Sequence, residues 1–262
     1  MSLKIAILTE NAAGGTFLAE HGLSYYIEFE GQKTLFDTGH SNVFLKNAIK
    51  LNIDINKEVD TIVLSHGHWD HGDGLRFIEN KTLITHPSAF IKRYRKNDNS
   101  YIGLTLSKEE IEKKFHLILS EVPYKLSDNL YYLGTIPRIN GFEALTTPFI
   151  KEDGKPDFVP DDSALAAVQN NELIVITGCS HAGICNIIEY TKRITGINKV
   201  KAVIGGFHLK FKNNQTSMTI NYLKNQDIEQ IYPTHCTQLP ALAAFYEAFK
   251  IKHITTGTVL DF

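Results

Sequence analysis

Four short apolar runs in this chain each stop at a histidine: "TIVLSHGHWDHG", "IVITGCSH", "AVIGGFH" and "IYPTH". Runs this short, rich in Ile and Val, read as strands buried on both faces. The histidines therefore fall at strand C-terminal ends, where sites form in sheets built of alternating strands and helices. A chain with this pattern needs a fold in which several strand ends converge on one cleft.

The rest of the sequence supplies such a fold. "LKIAIL", "SYYIEF" and "KTLFDTG", separated by "NAAGG" and "EGQ", read as a β-meander. Ser41 then caps a helix through "NVFLKNAIK", and "TIVL" returns to strand. The second half shows the strands "NLYYLG", "SALAAV" and "ELIVITG". It then alternates: helix "AGICNIIEYTKRI", strand "VKAVIGG", helix around "MTINYLK", strand "QIYP", helix "PALAAFYEAFK". Meander plus alternating units argues for α/β (α+β) architecture with helices packed outside a sheet sandwich. With no repeat, low-complexity tract or linker in 262 residues, a single domain spanning 1–262 is expected, with an insertion or cap at about 86–127. In that insertion, Ser107 and Glu110 have capping-box spacing.

A formal charge of −2 offers no global basic field, so nucleic acid is not expected as a partner. The three cysteines, Cys179, Cys185 and Cys236, form no paired framework. No stretch approaches the roughly 20 apolar residues of a membrane span, and the N-terminal apolar run is too brief for a signal peptide. These features predict a cytoplasmic protein that does not engage membranes.

In "SHGHWDH", His66 and His68 are two apart and point to one side of an extended segment, with Asp70 and His71 just beyond, where the chain turns. Two nitrogens on one face followed by a carboxylate and a third nitrogen can address two cations. His181, His208 and His235 close the other three runs. His21, His40, His86, His116 and His253 lack that placement and are assigned structural roles, although His40 follows "FDTG".

The segment His66-Gly67-His68-Trp69-Asp70-His71 resembles the H-x-H-x-D-H signature of the metallo-β-lactamase superfamily, and "TLFDTG" is similar to the strand and turn before it. More narrowly, "AEHGLSYYIE", "LFDTG", "LSHGHWDHGDGL", "ITGCSHAGICN", "IGGFHL" and "PTHCT" resemble the branch of 7,8-dihydropterin-6-yl-methyl-4-(β-D-ribofuranosyl)aminobenzene 5′-phosphate synthase-like proteins. The resemblance implies a four-layer αββα sandwich with a metal site at one edge of the sheets. It implies one or two divalent transition metal ions, zinc or iron. His66, His68 and His181 would hold the first, Asp70, His71 and His235 the second, and Asp37 would orient a ligand imidazole.

The chain departs from the superfamily in lacking a bridging aspartate after His181; the Gly-Asp found there elsewhere is Gly178-Cys179 here. Smaller departures from the branch are Asp73 and Gln238, where it carries glycine. His208 either replaces His235 as a ligand or, as "IGGFH" suggests by its similarity to phosphodiesterase members, acts as a free acid facing substrate.

The function implied is a metal-dependent hydrolase acting on a small anionic, phosphate- or ester-containing metabolite through a metal-bound hydroxide. Asp70 would orient the hydroxide and His208 would protonate the leaving group. An alternative is a condensing synthase joining a pterin methyl group to an aryl ribosyl phosphate with loss of diphosphate. In that reading Lys92, Arg93, Arg95 and Lys96 of "IKRYRK" would grip phosphate, and Trp69, Phe207 or Tyr94 would stack on a flat ring. A different class is an iron-binding protein, redox or not, or a ligand sensor on the same fold. No dinucleotide fingerprint supports a nicotinamide or flavin site, because "NAAGGT" lacks the G-x-G-x-x-G spacing. Cys179 and Cys236, beside expected ligands, offer a thiol nucleophile or a sulfur ligand as further options.

Overall fold

The computed structural model describes residues 2–262. Its contacts divide the chain into two compact units, one holding the residues up to Glu121 with Thr147–Asp157 and Thr255–Phe262, the other Val122–Thr146 and Phe158–Ile254.

The first unit opens on the expected meander: β1 (Lys4–Thr9), β2 (Ser24–Phe29) and β3 (Gln32–Phe36) pair antiparallel in sequence. Helix α1 (Val43–Lys50) and the short α2 (Ile55–Glu58) then cross to β4 (Thr61–Val63), which pairs parallel with β3. Beyond β4 come the single turn α3 (Trp69–Gly72), β5 (Thr82–Thr85), β6 (Arg93–Arg95), α4 (Lys108–Lys114) and β7 (His116–Leu119). The sheet has seven strands and continues in parallel register through β5 and β7.

Segment 86–127, expected as an insertion or cap, thus supplies α4 and the sheet's edge strand β7. The Ser107–Glu110 capping box at the start of α4 is formed in both directions. The N-cap of α1 is Asn42 rather than Ser41. Ser41 Oγ still accepts the Val43 N–H at 3.3 Å, while the Glu20 carboxylate accepts both the Ser41 N–H and its hydroxyl.

In the second unit the chain runs through β8 (Tyr124–Lys125) and β9 (Leu130–Tyr132), leaves to form β10 (Phe149–Lys151) against β6 in the first unit, and returns to β11 (Ala164–Gln169) and β12 (Glu172–Thr177). Then α5 (Ile184–Thr195), β13 (Val200–Gly206), α6 (Asn214–Asn225), β14 (Gln230–Thr234) and α7 (Leu239–Phe249) alternate. The final strand, β15 (Val259–Asp261), pairs with β1. The second sheet has six strands, with β12, β13 and β14 parallel and adjacent.

Each unit is a sheet with helices on it and has its own core. In the first, Phe44 and Ala48 of α1 and Ile111 of α4 pack with Leu35, Ile62 and Leu83 of the sheet. In the second, Ile184, Ile187 and Ile188 of α5, Leu223 of α6 and Phe245 of α7 pack with Val175 and Val203. Burying one such side chain contributes about 1.5–3 kcal/mol, so these clusters hold the strand ends in place. No helix among the described residues is long and apolar enough to cross a membrane.

Candidate metal centre

The end of β4 builds the first unit's polar cluster. Asp37, immediately after Phe36 in "LFDTG" and wholly buried, is the hub. Its Oδ1 accepts the Ser65 N–H at 2.7 Å, and its Oδ2 accepts the Ser65 hydroxyl at 2.7 Å. The same Oδ2 lies 2.6 Å from His71 Nδ1. Because Ser65 Oγ spends its hydrogen on Asp37, it is an acceptor toward His66 Nδ1, 2.9 Å away. Both Nδ1 atoms are therefore donors, and the lone pairs of His66 and His71 sit on Nε2.

His66 Nε2 in turn faces His68 Nδ1 at 3.0 Å, with both rings buried. Two imidazole nitrogens on one tetrahedral zinc, each about 2.0–2.1 Å from it, stand about 3.3 Å apart. The first unit's donor set, three buried imidazoles and Asp70 with Asp37 behind them, fits a divalent transition metal in chemistry and in spacing.

Local backbone explains why this short segment can carry so many ligands. His68 is the N-cap of α3, and its carbonyl accepts the N–H groups of His71 and Gly72, both at 3.1 Å. That turn swings Asp70 and His71 past the strand end. Gly67 is required by close approach, since a Cβ there would lie 1.7 Å from the Ala89 carbonyl oxygen.

The second unit gathers the other three histidines at the ends of β12, β13 and β14. His181 and His208 touch, their ring centroids 4.4 Å apart. The Ser180 hydroxyl donates to the Gly206 carbonyl at 2.6 Å, joining the two loops. The His208 N–H donates to Cys236 Sγ at 3.3 Å, and that thiol donates to the Cys179 carbonyl at 3.4 Å. Cys236 is thus a tie between loops, which accounts for it without nucleophilic chemistry. His235 is buried beside it in sequence.

Asp37, Ser180, His208 and His235 all have positive φ, at 56°, 54°, 51° and 49°. Non-glycine residues held in that left-handed region are disfavoured, and they cluster at functional sites.

Two carboxyls support the His181 loop. Asp162 accepts the Ala182 N–H at 2.8 Å, and its burial pushes its pKa up to about 7. Glu143 accepts the N–H groups of Cys185 and Asn186 at the start of α5, both at 3.0 Å, together with the Asn140 side-chain amide at 2.6 Å. Those donors favour its charged form, yet burial outweighs them and raises its pKa above the usual glutamate value.

A raised carboxyl pKa stabilises the fold fully below the unfolded value, about 4.3, and that contribution is lost as pH rises through the folded value. Urea midpoints are therefore expected to fall as pH climbs from about 4 through that value. Glu143→Gln should remove this part of the slope. An identical pH profile in the variant would show the assignment to be wrong.

Several sequence expectations land elsewhere. Arg93 of "IKRYRK" is fully buried and ion-paired with Asp157 at 3.3 Å, so it presents no phosphate grip, while Lys92 pairs with Glu152 at 2.8 Å on the surface. Phe207 is a core residue against Phe245, and Tyr94 packs on Tyr101. Trp69 lies between the rings of His40 and His21. His21, expected to be structural, reaches Asp70 Oδ2 with its Nε2 at 3.1 Å. The only sequence signal for it was its place within "AEHGLS".

Residues 19–194 match the family described as the metallo-beta-lactamase superfamily. The chain belongs to the metallo-β-lactamase superfamily.

Two curated relatives are from Methanocaldococcus jannaschii. An uncharacterized protein is 40% identical, with 91% of this chain and 92% of the relative covered. A second, named 7,8-dihydropterin-6-methyl-4-(beta-D-ribofuranosyl)-aminobenzene-5'-phosphate synthase, is 36% identical, with 100% of this chain and 97% of the relative covered. Among solved structures, a metal-dependent hydrolase of the beta-lactamase superfamily matches with a TM-score of 0.86 at 30% identity, covering 98% of both chains. The mixed α/β metallo-β-lactamase fold expected from the sequence is the fold class of this superfamily member, and the resemblance to the synthase-like branch stands with it.

Proposed function

We propose that this chain is a metal-dependent hydrolase of a small anionic metabolite carrying a phosphate or ester group. The observation that carries the reading is the buried convergence of His66 Nε2 and His68 Nδ1 at 3.0 Å, beside a His71 already oriented by Asp37. His66, His68 and His181 would hold one cation, zinc or iron, and Asp70, His71 and His235 a second.

Cations bound by these residues supply Lewis-acid polarisation of a phosphoryl or carbonyl oxygen and acidify water. The chain's own groups do the rest. Asp37 keeps a hydrogen on His71 Nδ1 and so leaves Nε2 basic, and Ser65 does the same for His66. Asp70 orients the attacking water. His208, fixed beside His181 by the Cys236 thiol, is the group that protonates the leaving oxygen.

A second reading is favoured by one finding, the synthase that is 36% identical along the whole chain. Under it the same cations would grip diphosphate oxygens during condensation of a pterin with an aryl ribosyl phosphate.

The test measures metal content, then turnover of a phosphodiester and lactone panel and diphosphate release from the paired condensation substrates, each with His68→Ala alongside. The hydrolase reading expects turnover on the panel that falls about 100-fold or more in the variant, beyond the roughly 10–100-fold cost of losing an outer partner. Diphosphate release without hydrolysis selects the synthase. Bound metal with neither activity sinks the enzymatic reading and leaves a ligand-binding protein.

A further inference from the structure

We infer that His21 is a positioning residue for Asp70, setting which carboxylate oxygen is presented to the second cation; this rests on the reading of Asp70 as a ligand given above. The imidazole Nε2 stands 3.1 Å from Asp70 Oδ2, with about half of the His21 side chain exposed and the Asp70 side chain nearly buried. The ring is held rather than tethered: it lies against Trp69 with centroids 5.5 Å apart, and His40 braces Trp69 edge-on at 4.6 Å.

The backbone repeats the link. The Leu23 N–H donates to the Asp70 carbonyl at 3.2 Å, and the Gly39 N–H donates to the Leu23 carbonyl at 2.9 Å. Between them, a Cβ on Gly22 would stand 2.9 Å from the Asp70 carbonyl oxygen, so the segment passes too close to Asp70 for a side chain there. Residues 21–23 are therefore registered on Asp70 by backbone and by side chain together. His21 is to Asp70 what Asp37 is to His71: an outer hydrogen-bonding partner for each of two residues assigned to one cation.

Magnitudes separate this role from a structural one. An exposed imidazole–carboxylate pair contributes only about 0–1 kcal/mol to folding. An outer partner that orients a ligand is worth about 10–100-fold in metal affinity. Loss of His21 should therefore move metal binding and leave stability almost unchanged.

The experiment titrates zinc alone into metal-stripped protein against a chromophoric chelator, and records cobalt(II) absorption spectra of the same samples. Wild type is expected to take up two equivalents. His21→Ala should bind the first as wild type does and the second about 10–100-fold more weakly, with an altered cobalt spectrum. His21→Gln, whose amide N–H can donate to the same oxygen, should recover most of the loss. His40→Ala, which removes the brace on Trp69 but keeps the His21–Asp70 contact, should lose clearly less second-site affinity than His21→Ala.

Equal affinities in wild type and His21→Ala overturn the inference, as does a matching loss in His40→Ala. Wild-type protein that takes up no second equivalent overturns the two-cation reading itself, a result distinct from either.

Discussion

Asp37→Ala is expected to unfold the protein more readily by about 3–5 kcal/mol, because the Ser65 N–H, the Ser65 hydroxyl and the His71 Nδ1–H would lose one shared buried acceptor, and unmade buried bonds cost roughly 1–3 kcal/mol each. Metal uptake should fall with it. Once Asp37 is gone, the His71 ring can rotate or change tautomer, and outer-partner losses of this kind cost about 10–100-fold in affinity. Asp37→Asn tolerates the left-handed backbone but sets an amide nitrogen against one of these donors, so it should be intermediate in stability and still poor in metal binding. Urea unfolding and zinc titration of the two variants measure both effects. An alanine variant within about 1 kcal/mol of wild type would mean that the hub is not what holds this cluster.

The second large effect lies in "IKRYRK". Arg93→Ala leaves Asp157 buried without its cation, and breaking a buried pair in this way costs about 3–5 kcal/mol. Replacing both partners, Arg93→Met with Asp157→Leu, should recover most of that loss, since a buried pair contributes little net stability over apolar residues of similar volume. The pair of measurements also decides between two roles for the basic run. If Arg93 gripped a substrate phosphate, Arg93→Ala would raise KM and leave the urea midpoint in place. The buried ion pair predicts a lower midpoint.

The residues legible in the sequence were those whose partners are near in the chain. His66, His68, Asp70 and His71 share one strand end and one turn, so spacing alone placed them, and the alternating runs around His181, His208 and His235 placed three more at parallel strand ends. Relations between distant segments were legible only where a motif carried them, as "LFDTG" did for Asp37 and His71. Arg93 looked solvated because a charge run usually is, and the carboxylate that takes it into the core is Asp157, on the far side of β10. Phe207 looked like a ring available for stacking, yet α7 covers it through Phe245. His21 ends no apolar run, and its meeting with Asp70 depends on how the segment between β1 and β2 is folded back by Leu23 and Gly39. Ser41 keeps a hydrogen bond to the start of α1 through the Val43 N–H, but its tie to Glu20, remote in sequence, was not legible.

Asp37, Ser180, His208 and His235 occupy backbone angles that glycine would adopt with less strain. At His208 and His235 a population bred for heat tolerance alone would drift toward glycine, and each such gain would delete an imidazole, whereas the bonds made by Asp37 and Ser180 outweigh the strain there. Durability and chemistry thus pull those two histidine codons in opposite directions. Any hardened version of this protein should be sought by substitutions elsewhere.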